Sequence, residues 1–434
     1  MLTPLLTEKD PAISSEGSID PLGMYAIADS LAVRLVPGVR ERQSHPRFLT
    51  AIATSLAVCS EFDDDQVASD GVSEPWQVFE WHVVEGLVRS LTDEGQLQGL
   101  PGREKAARAI QDKVPLSATR YLKTPSVFGF HGVYRILSRT LDIEAAGLLG
   151  ETGYELLDTW ANEQGLPGFC GTMNGSGAEW RQRLVSAVGD GLEKGTVARS
   201  GGWSGWEFFK NHLAHHNIGR KERKVIVNSL VRADGGFRGE VLRFLTSDKG
   251  RDAWQENSSE RRFHEALASI CEPSLKELLR AIDIYERFAR LLEDAFFDCL
   301  FQMSRVRNYV YAAELGSLPG VQEAAERVPR LSIELVERLA PFGESIRFQE
   351  TFSEITQQMP AKQWVECLLE HHRKVQSNKP PNGKAPWYER FDDGSYIIRT
   401  GYVRGSGGRH DEEYVHGYRT GPLWSFATDL KLVS

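Results

Sequence analysis

The chain has 434 residues, of which 41% are hydrophobic and 26% are charged. That balance is typical of a globular protein, and the length predicts two to four domains. The net charge of −9 resides in residues 61–95, which hold ten acidic residues and one base, Arg89. The other residues sum to zero, so a basic working face elsewhere is compatible with the acidic total. Five separate cysteines without a Cys-x-x-Cys pair indicate reduced thiols.

Residues 1–98 predict an N-terminal helical unit. We find neither a secretory signal nor the ~18 apolar residues that a membrane span needs, so we expect a cytoplasmic protein without a membrane partner. Apolar residues from Met24 to Leu35 recur at helical spacing, Pro37-Gly38 ends that helix, and Pro46 opens the next. A third helix is predicted near 76–92. The turn between the first two helices is surrounded by bases, which form either a phosphate clamp or a simple anchor: Arg40, Arg42, His45 and Arg47.

Residues 99–166 predict a winged-helix-like unit that binds nucleic acid. A helix with Val133, Leu137 and Leu141 on one face is followed by the apolar pair Leu148-Leu149 and the turn 150–153, which indicate a short hairpin. The next helix carries a T-G-x-x-L-L pattern. This order resembles a winged helix from its recognition helix onward.

Residues 103–139 combine eight bases and two acids with interleaved aromatic residues. Because phosphates attract cations and unstacked bases stack on flat rings, this mixture suits DNA or RNA, and double-stranded DNA is the expected partner. The predicted DNA-binding residues here are Arg103, Lys105, Arg120, Tyr121, Lys123, His131, Tyr134, Arg135 and Arg139. In the alternative interpretation the rings are core and the charges are a solvated face, and winged helices also serve as protein docking units.

Residues 167–270 form a glycine-rich central section with a basic helix. The stretch HLAHHNIGRKERK at 212–224 adds Arg220 and Lys221 to the predicted DNA-binding residues. His212, His215 and His216 have a spacing that can hold zinc on a helix face, but no Cys or Glu motif completes the set. We therefore predict neither a metal nor a cofactor.

The loop Asp234-Gly-Gly-Phe-Arg238-Gly-Glu240 is the predicted catalytic segment. A carboxylate held ionised by an arginine can activate water at a glycosidic carbon, and the glycines allow a ligand to approach the backbone. Asp234 or Glu240 takes that role in this hypothesis, with Arg238 as its partner and Asp190 in reserve. The alternative is a polar turn with a surface ion pair.

Residues 271–376 predict a long-helix bundle, and 377–434 predict a β-rich tail. Apolar residues recur at helical spacing over 274–313, a length that allows a break into two helices. Leu318-Pro319-Gly320-Val321 begins like the phosphate-binding helix-hairpin-helix motif, but Gln322 replaces its second glycine. A proline-led helix start is the simpler interpretation. In the tail, WYERF-DDG-SYIIRTGYV predicts a β-hairpin.

These patterns together predict a mainly α (α+β) protein with five segments, bounded at residues 98, 166, 270 and 376. The sequence has no Walker, Rossmann, H-E-x-x-H or G-x-S-x-G pattern. An ATPase, a dehydrogenase, a zinc protease and a serine hydrolase are therefore disfavoured.

The opening segment resembles a bacterial protein group. The resemblance rests on Leu22-Gly23, Ala28-Asp29, Leu35-Val36-Pro37-Gly38, Arg42 and Arg47-Phe48-Leu49. The group it resembles is an uncharacterised family found among anti-phage defence genes, often beside helicases and nucleases. The resemblance implies a DNA-directed role in defence and protein partners from a defence operon, and it transfers no catalytic residue.

One principal hypothesis and two alternatives follow from the sequence. The principal hypothesis is a DNA-acting anti-phage defence protein, specifically a metal-free DNA glycosylase that excises modified bases from a basic groove lined by aromatic rings. The first alternative is a non-catalytic DNA-binding or adaptor subunit. The second is a nuclease with a diverged site.

Overall fold

The structure is a computed structural model that describes residues 20–91, 93–171, 174–232, 236–256, 258–306, 309–380 and 382–433. It contains 61% helix and 4% strand, which confirms the predicted fold class. Within these ranges, no helix is both long enough and apolar enough to cross a bilayer. The chain divides into two compact units that cut across the five predicted segments. Unit 1 takes residues 20–32 and 256–418, and unit 2 takes 33–255 and 419–433.

Unit 2 is built from helices and one short hairpin. Helix α1 (Tyr25–Leu35) begins in unit 1 and ends in unit 2. The other elements of unit 2 follow in chain order: α2 (Arg47–Cys59), α3 (Pro75–Ser90), α4 (Arg103–Gln111), α5 (Pro125–Phe128), α6 (Phe130–Thr140), β1 (Glu144–Ala145), β2 (Leu148–Leu149), α7 (Glu151–Glu163), α8 (Ser176–Lys194), α9 (Trp206–Leu213), α10 (Arg220–Leu230), α11 (Arg238–Thr246) and α12 (Asp248–Gln255). The last element of unit 2 is a helix near the C-terminal end of the chain, α19 (Thr420–Asp429).

Helix α2 forms the centre of unit 2. Nearly every residue of RFLTAIATSLAVC is buried, including the polar side chains of Arg47, Thr50 and Thr54. Its small Ala, Ser and Thr residues allow close packing, and α2 contacts α3, α6, α7 and α8. The charge and hydroxyls on this helix therefore need partners inside the unit.

The predicted order of helix, hairpin and helix over 130–163 is present. Strands β1 and β2 pair antiparallel, with Glu144 opposite Leu149. Ala146 and Gly147 form the turn with φ of 50° and 84°. Helices α6 and α7 pack on α2, and α7 also packs on α10, so these elements are part of the core of unit 2.

Unit 1 is arranged around one long helix. Its elements are α13 (Glu260–Ala268), α14 (Pro273–Arg305), β3 (Val310–Tyr311), α15 (Ala312–Leu315), α16 (Pro319–Leu339), α17 (Ser345–Phe352), α18 (Ala361–Ser377), β4 (Tyr388–Arg390) and β5 (Ser395–Ile398). Helix α14 runs unbroken for 33 residues because its apolar stripe is continuous from Leu275 to Leu300, and it packs along α16.

The predicted hairpin in the C-terminal segment is confirmed. Strands β4 and β5 pair antiparallel around the turn at Asp392 to Gly394, with Tyr388 opposite Ile398. Strand β3 adds to the other edge of β5, with Val310 opposite Tyr396, so the sheet order is β3-β5-β4. The predicted β-rich tail also contains helix α19.

Candidate nucleic-acid interface

Helix α6, the predicted recognition helix, has one buried and one exposed face. Val133, Tyr134 and Leu137 point into the core of unit 2. Arg135 and Arg139 are exposed on the opposite side. Arg139 also forms an ion pair of 2.7 Å with Glu144 of the hairpin. The helix therefore holds two guanidinium groups at the surface on a buried apolar base.

The turn after α1 lies against α6 and adds a third arginine. The Gln43 side-chain amide donates to the carbonyl oxygen of Val133 at 2.9 Å. The exposed Arg42 stacks on the ring of Phe128, with 4.6 Å from its guanidinium carbon to the ring centroid. Of the four bases predicted as a clamp, Arg42 is thus held against Phe128, in the segment that leads into α6.

Gly38 explains how closely this turn approaches α6. A Cβ atom at Gly38 would lie 3.0 Å from Leu137 Cδ1, and its φ of 82° is a conformation that glycine adopts without strain. The two segments are packed backbone against side chain here. The turn and the exposed face of α6 are therefore held as one surface.

Two other predicted clamp residues have structural roles. Arg47 is buried and forms an ion pair of 2.5 Å with the buried Glu222, and it also donates to the carbonyl oxygen of His212. His45 contacts Asp429 at 2.7 Å through Nδ1 and the carbonyl oxygen of Gln98 at 2.7 Å through Nε2. These two side chains hold elements of unit 2 together, which agrees with the anchor interpretation and not with the phosphate clamp.

The remaining predicted cations of 103–139 lie at or near the surface. Lys105, Arg120 and Lys123 are exposed, and Arg103 is half-buried at the start of α4. Lys123 lies two residues before α5, whose Phe128 carries Arg42. These side chains remain predicted DNA contacts.

Tyr121 and Tyr134 are core residues, and the prediction that they stack on bases is wrong. The Tyr121 hydroxyl donates to the buried carboxylate of Glu80 at 2.8 Å, and burial raises the pKa of Tyr121 well above its ordinary value. The Tyr134 hydroxyl accepts from the backbone N–H of His45 at 2.8 Å. Aromatic composition alone does not tell which rings a helix turns inward.

His131 is held against the same carboxylate. Its backbone N–H and its Nδ1 each lie 3.0 Å from Glu80 Oε2. Its Nε2 is buried and has no hydrogen-bond partner among the described residues. With both ring nitrogens turned away from solvent, His131 does not offer a contact to DNA, which corrects its assignment.

The N-terminus of α10 is occupied by a carboxylate of its own chain. Glu163 accepts from the backbone N–H groups of Lys221 at 2.7 Å and Glu222 at 2.8 Å. A phosphate would need those same amides, so this helix start is not open to one. The side chains of Arg220 and Lys221 themselves are exposed and remain predicted DNA contacts.

The predicted catalytic loop is described in part. Asp234 lies outside the described residues, and Glu240 is half-exposed in the first turn of α11. Arg238 is fully buried and donates to the carbonyl oxygens of Leu230, at 2.9 Å, and Pro37, at 2.7 Å. Arg238 therefore fixes backbone segments, and its pairing with a catalytic carboxylate stays a prediction. Asp190, the reserve residue, pairs with Arg199 at 2.7 Å.

The three histidines of the HLAHH stretch do not share a helix face. Helix α9 ends at Leu213, and His215 and His216 lie in a separate short 3₁₀ turn. His212 Nδ1 lies 3.1 Å from Gln164 Oε1, whereas the ring of His215 stacks on that of His45 with 3.9 Å between centroids. Among the described residues, no group of three or more His, Cys, Asp or Glu side chains is arranged to hold a metal ion.

In unit 1, the Leu-Pro-Gly start of α16 faces a carboxylate. A Cβ atom at Gly320 would overlap Asp298 of α14 and the ring of His410. Pro319 is the first residue of the helix, as the simpler interpretation expects. The anion beside this helix start is thus an aspartate of the same chain.

Several residues that carry the N-terminal resemblance make contacts that stabilise the fold. In unit 1, the carbonyl oxygen of Leu22 accepts from His371 Nε2 at 2.8 Å, and Gly23 has a φ of 72°. In unit 2, Gly38 allows α6 to approach, and Arg47 forms the buried ion pair. These positions support the fold and leave the defence role as an expectation.

Sequence reasoning missed the buried polar contacts that organise both units. In unit 2 these are centred on Glu80 and on the pair of Arg47 with Glu222. In unit 1, the buried Glu286 holds His416. The partners are far apart in sequence, and no local pattern marks them.

Comparison of the chain with protein-family models, with curated proteins and with solved structures gave no match in any of the three.

Proposed function

We propose that this protein binds double-stranded DNA through unit 2. The surface that we assign to this role, the α6 face, consists of the exposed side of α6 together with Arg42 and Lys123. One observation carries the proposal: α6 places Arg135 and Arg139 on its exposed side, while its other side is anchored in the core.

The charge of the α6 face suits a phosphate backbone. Arg42, Lys123 and Arg135 are exposed cations, and the carboxylate paired with Arg139 is that of Glu144. Each phosphate that a cation neutralises releases condensed counterions, so such a face gains affinity for DNA of any sequence. Stacking on Phe128 orients Arg42 and lowers the entropy that it loses on binding.

The shape of the α6 face also suits duplex DNA. An α-helix fits the major groove, and α6 is accessible along Arg135, Ile136, Arg139 and Thr140, one side of two successive turns. Ile136 is 48% exposed and can contact a thymine methyl group there. A helix that rests on a packed core loses little conformational entropy when it docks.

A binding titration tests this proposal. The full-length protein is titrated into a labelled DNA duplex, together with the variant R42Q/R135Q/R139Q and the control R327Q/R330Q/R338Q. The control removes three exposed arginines of α16, each in an ion pair with the glutamate four residues before it. We expect the α6 variant to lose at least about tenfold in affinity and the control to bind like the wild type. Equal losses in both variants, or no binding by the wild type, would contradict the proposal.

A DNA glycosylase is the second candidate, and the position of the glycine-rich loop favours it. A Cβ atom at Gly236 would lie 3.1 Å from Pro37, in the turn whose Gly38 contacts α6. Glu240 is therefore on a segment that adjoins the turn beside the α6 face.

An assay for abasic sites separates the two candidates. Modified phage DNA is incubated with the wild type, D234N or E240Q and is then treated with alkali. A glycosylase predicts alkali-labile sites with the wild type and a loss on the order of 10² or more in at least one variant. Strand breaks without alkali would indicate the diverged nuclease, and binding without either product would indicate the adaptor.

The wider role that we propose is anti-phage defence in the bacterial cytoplasm, with defence-operon proteins as partners. It rests on the N-terminal resemblance and on the proposed DNA face. Plaque counts on cells that carry the wild type or R42Q/R135Q/R139Q test this role. Equal protection against phage by both would mean that defence does not depend on the α6 face.

A further inference from the structure

Unit 1 contains an open cleft of about 320 Å³ between helix α18 and the β4–β5 hairpin. Its helical wall carries Glu366, Glu370 and Arg373, whose spacing of four and three residues places them on one face. Its other wall carries Arg390 of β4 and Tyr396 of β5, which lie opposite each other in the hairpin. The volume lies at the lower end of the range of small-molecule sites, roughly 300–1,000 Å³. The DNA proposal uses no residue of this cleft.

Hydrogen bonds hold the two walls of the cleft together. The Tyr388 hydroxyl of β4 donates to the carbonyl oxygen of Leu369 in α18 at 2.6 Å. Beside it, the Trp387 backbone N–H donates to Nε2 of His372 in α18 at 3.1 Å. Burial lowers the pKa of His372 to about 3, so the ring is neutral and this nitrogen can accept. The side chains of the cleft are therefore presented from backbone that is already in place, which lowers the entropy lost when a ligand binds.

Two of the three arginines at the cleft have a carboxylate partner, and the third has none. Arg373 donates to both carboxylate oxygens of Glu370, and Arg399 lies 3.8 Å from Glu389. The Arg390 guanidinium is exposed and forms neither an ion pair nor a hydrogen bond with any described residue. The cleft therefore has one cation without a counterion.

One carboxylate at the cleft is also without a counterion. Glu366 is half-buried in α18, and its side chain forms no ion pair and no hydrogen bond within the part of the chain that the structure describes. Arg390 and Glu366 do not pair with each other, although both line the cleft. One free positive group and one free negative group thus face the same space from different walls.

The Tyr396 hydroxyl faces this space as well. The residue is 2% exposed, but its hydroxyl makes no hydrogen bond within the described ranges and is open to the cleft. Burial raises the pKa of Tyr396, while the charge of Arg390 opposes that shift and the charge of Glu366 adds to it. The net shift is upward, so the hydroxyl keeps its proton and can donate. A largely buried polar side chain without a protein partner indicates a group from outside the chain that supplies one.

We propose that this cleft binds a free α-amino acid, with Arg390 holding its carboxylate and Glu366 holding its ammonium group. The Tyr396 hydroxyl donates to the carboxylate beside Arg390, whose guanidinium carbon lies 5.9 Å from the Tyr396 ring centroid. An α-amino acid fits because it carries one positive and one negative group close together. A simple anion or a simple cation would give a partner to only one of the two unpaired side chains.

Calorimetric titration of the full-length protein with each of the twenty common L-amino acids tests the proposal. We expect saturable binding of at least one of them, weakened about tenfold or more by R390Q and by E366Q, the scale of one charge-assisted hydrogen bond. Both variants are expected to keep the wild-type Tm, because neither side chain has a protein partner to lose. The matched controls are R280Q and E277Q, which remove exposed charges of α14 outside the cleft and are expected to bind like the wild type.

Two analogues of the amino acid that binds most tightly assign each of its charges to a residue. The carboxamide lacks the carboxylate, so we expect E366Q to weaken its binding and R390Q to leave it unchanged. The N-acetyl derivative lacks the ammonium group, and for it we expect the opposite pattern. Y396F is expected to weaken binding of the amino acid by about threefold or more at an unchanged Tm.

Three results would overturn the assignment. They are absence of saturable binding for all twenty amino acids, wild-type affinity in R390Q or in E366Q, and analogues that bind as tightly as the amino acid itself. The outcome does not depend on DNA binding, since every residue involved belongs to unit 1.

Discussion

Replacement of Arg47 by methionine is expected to destabilise unit 2 strongly. Arg47 and Glu222 are both buried and lie 2.5 Å apart, and Glu222 also accepts from the Thr50 hydroxyl at 2.6 Å. Removal of one partner of such a pair leaves a buried charge, which costs about 3–5 kcal/mol. For a unit of this size, that loss lowers Tm by roughly 6–20 °C.

The pKa of Glu222 gives the sign of a pH dependence in that variant. Burial raises this pKa even with Arg47 present. Without Arg47 the carboxyl group must bind a proton or remain buried and charged. Because the unfolded chain ionises Glu222 at a lower pH than the folded chain does, the destabilisation of R47M is expected to grow as the pH rises.

Urea unfolding of three variants measures this effect. E222Q keeps an acceptor for Thr50, so R47M/E222Q is expected to be more stable than R47M alone. The control is R139M, because the Arg139 side chain is 48% exposed and the loss of its ion pair is expected to stay below about 1 kcal/mol. If R47M unfolds at the same urea concentration as R139M, or if the double variant is less stable than R47M, the buried pair does not have the role assigned to it.

Three further predictions concern other buried positions. Y121F removes the hydroxyl that donates to Glu80 and is expected to lower the free energy of unfolding by about 1.5–3 kcal/mol without changing DNA affinity; a loss of affinity at equal stability would contradict the core assignment. G38A places a Cβ atom 3.0 Å from Leu137 at a φ of 82°, so we expect the free energy of unfolding to fall by at least about 1 kcal/mol and Tm to fall with it. An unchanged Tm would refute the close approach. Burial lowers the pKa of His264 to about 3, so below about pH 6.5 the unfolded chain binds a proton at this residue that the folded chain does not. This residue therefore lowers the stability by about 1.4 kcal/mol per pH unit as the pH drops. H264F should reduce that slope in urea unfolding, and an unchanged slope would contradict this role of His264.

The strongest periodic patterns of the sequence predicted the fold well. The continuous apolar stripe of α14 and the Asp-Gly turn between β4 and β5 are local signals, and both elements are present. Strand β3 has two residues, Val310 and Tyr311, and its pairing depends on a partner 86 residues away, so no local pattern marks it. Pairings of this kind are decided by tertiary packing.

The candidate surface was predicted in part, for a related reason. The density of arginine and lysine over 103–139 indicated a basic face, and Arg135 and Arg139 are indeed exposed. The same stretch gave no sign that Tyr121 and Tyr134 are core, because their partner groups, Glu80 and the backbone of His45, lie elsewhere in the sequence. Aromatic residues within a basic stretch can lie at the surface or in the core, and tertiary packing determines which.

The salt dependence of DNA binding tests the central claim most directly. The logarithm of the association constant is measured against the logarithm of the salt concentration for the wild type, R42Q/R135Q/R139Q and the α16 control. Each phosphate contact contributes about 0.9 to the slope, so the wild type is expected to be steeper than the α6 variant by about 2.7, with the control equal to the wild type. Equal slopes for the wild type and the α6 variant would mean that these arginines do not contact phosphates, and the α6 face would not be the DNA-binding surface.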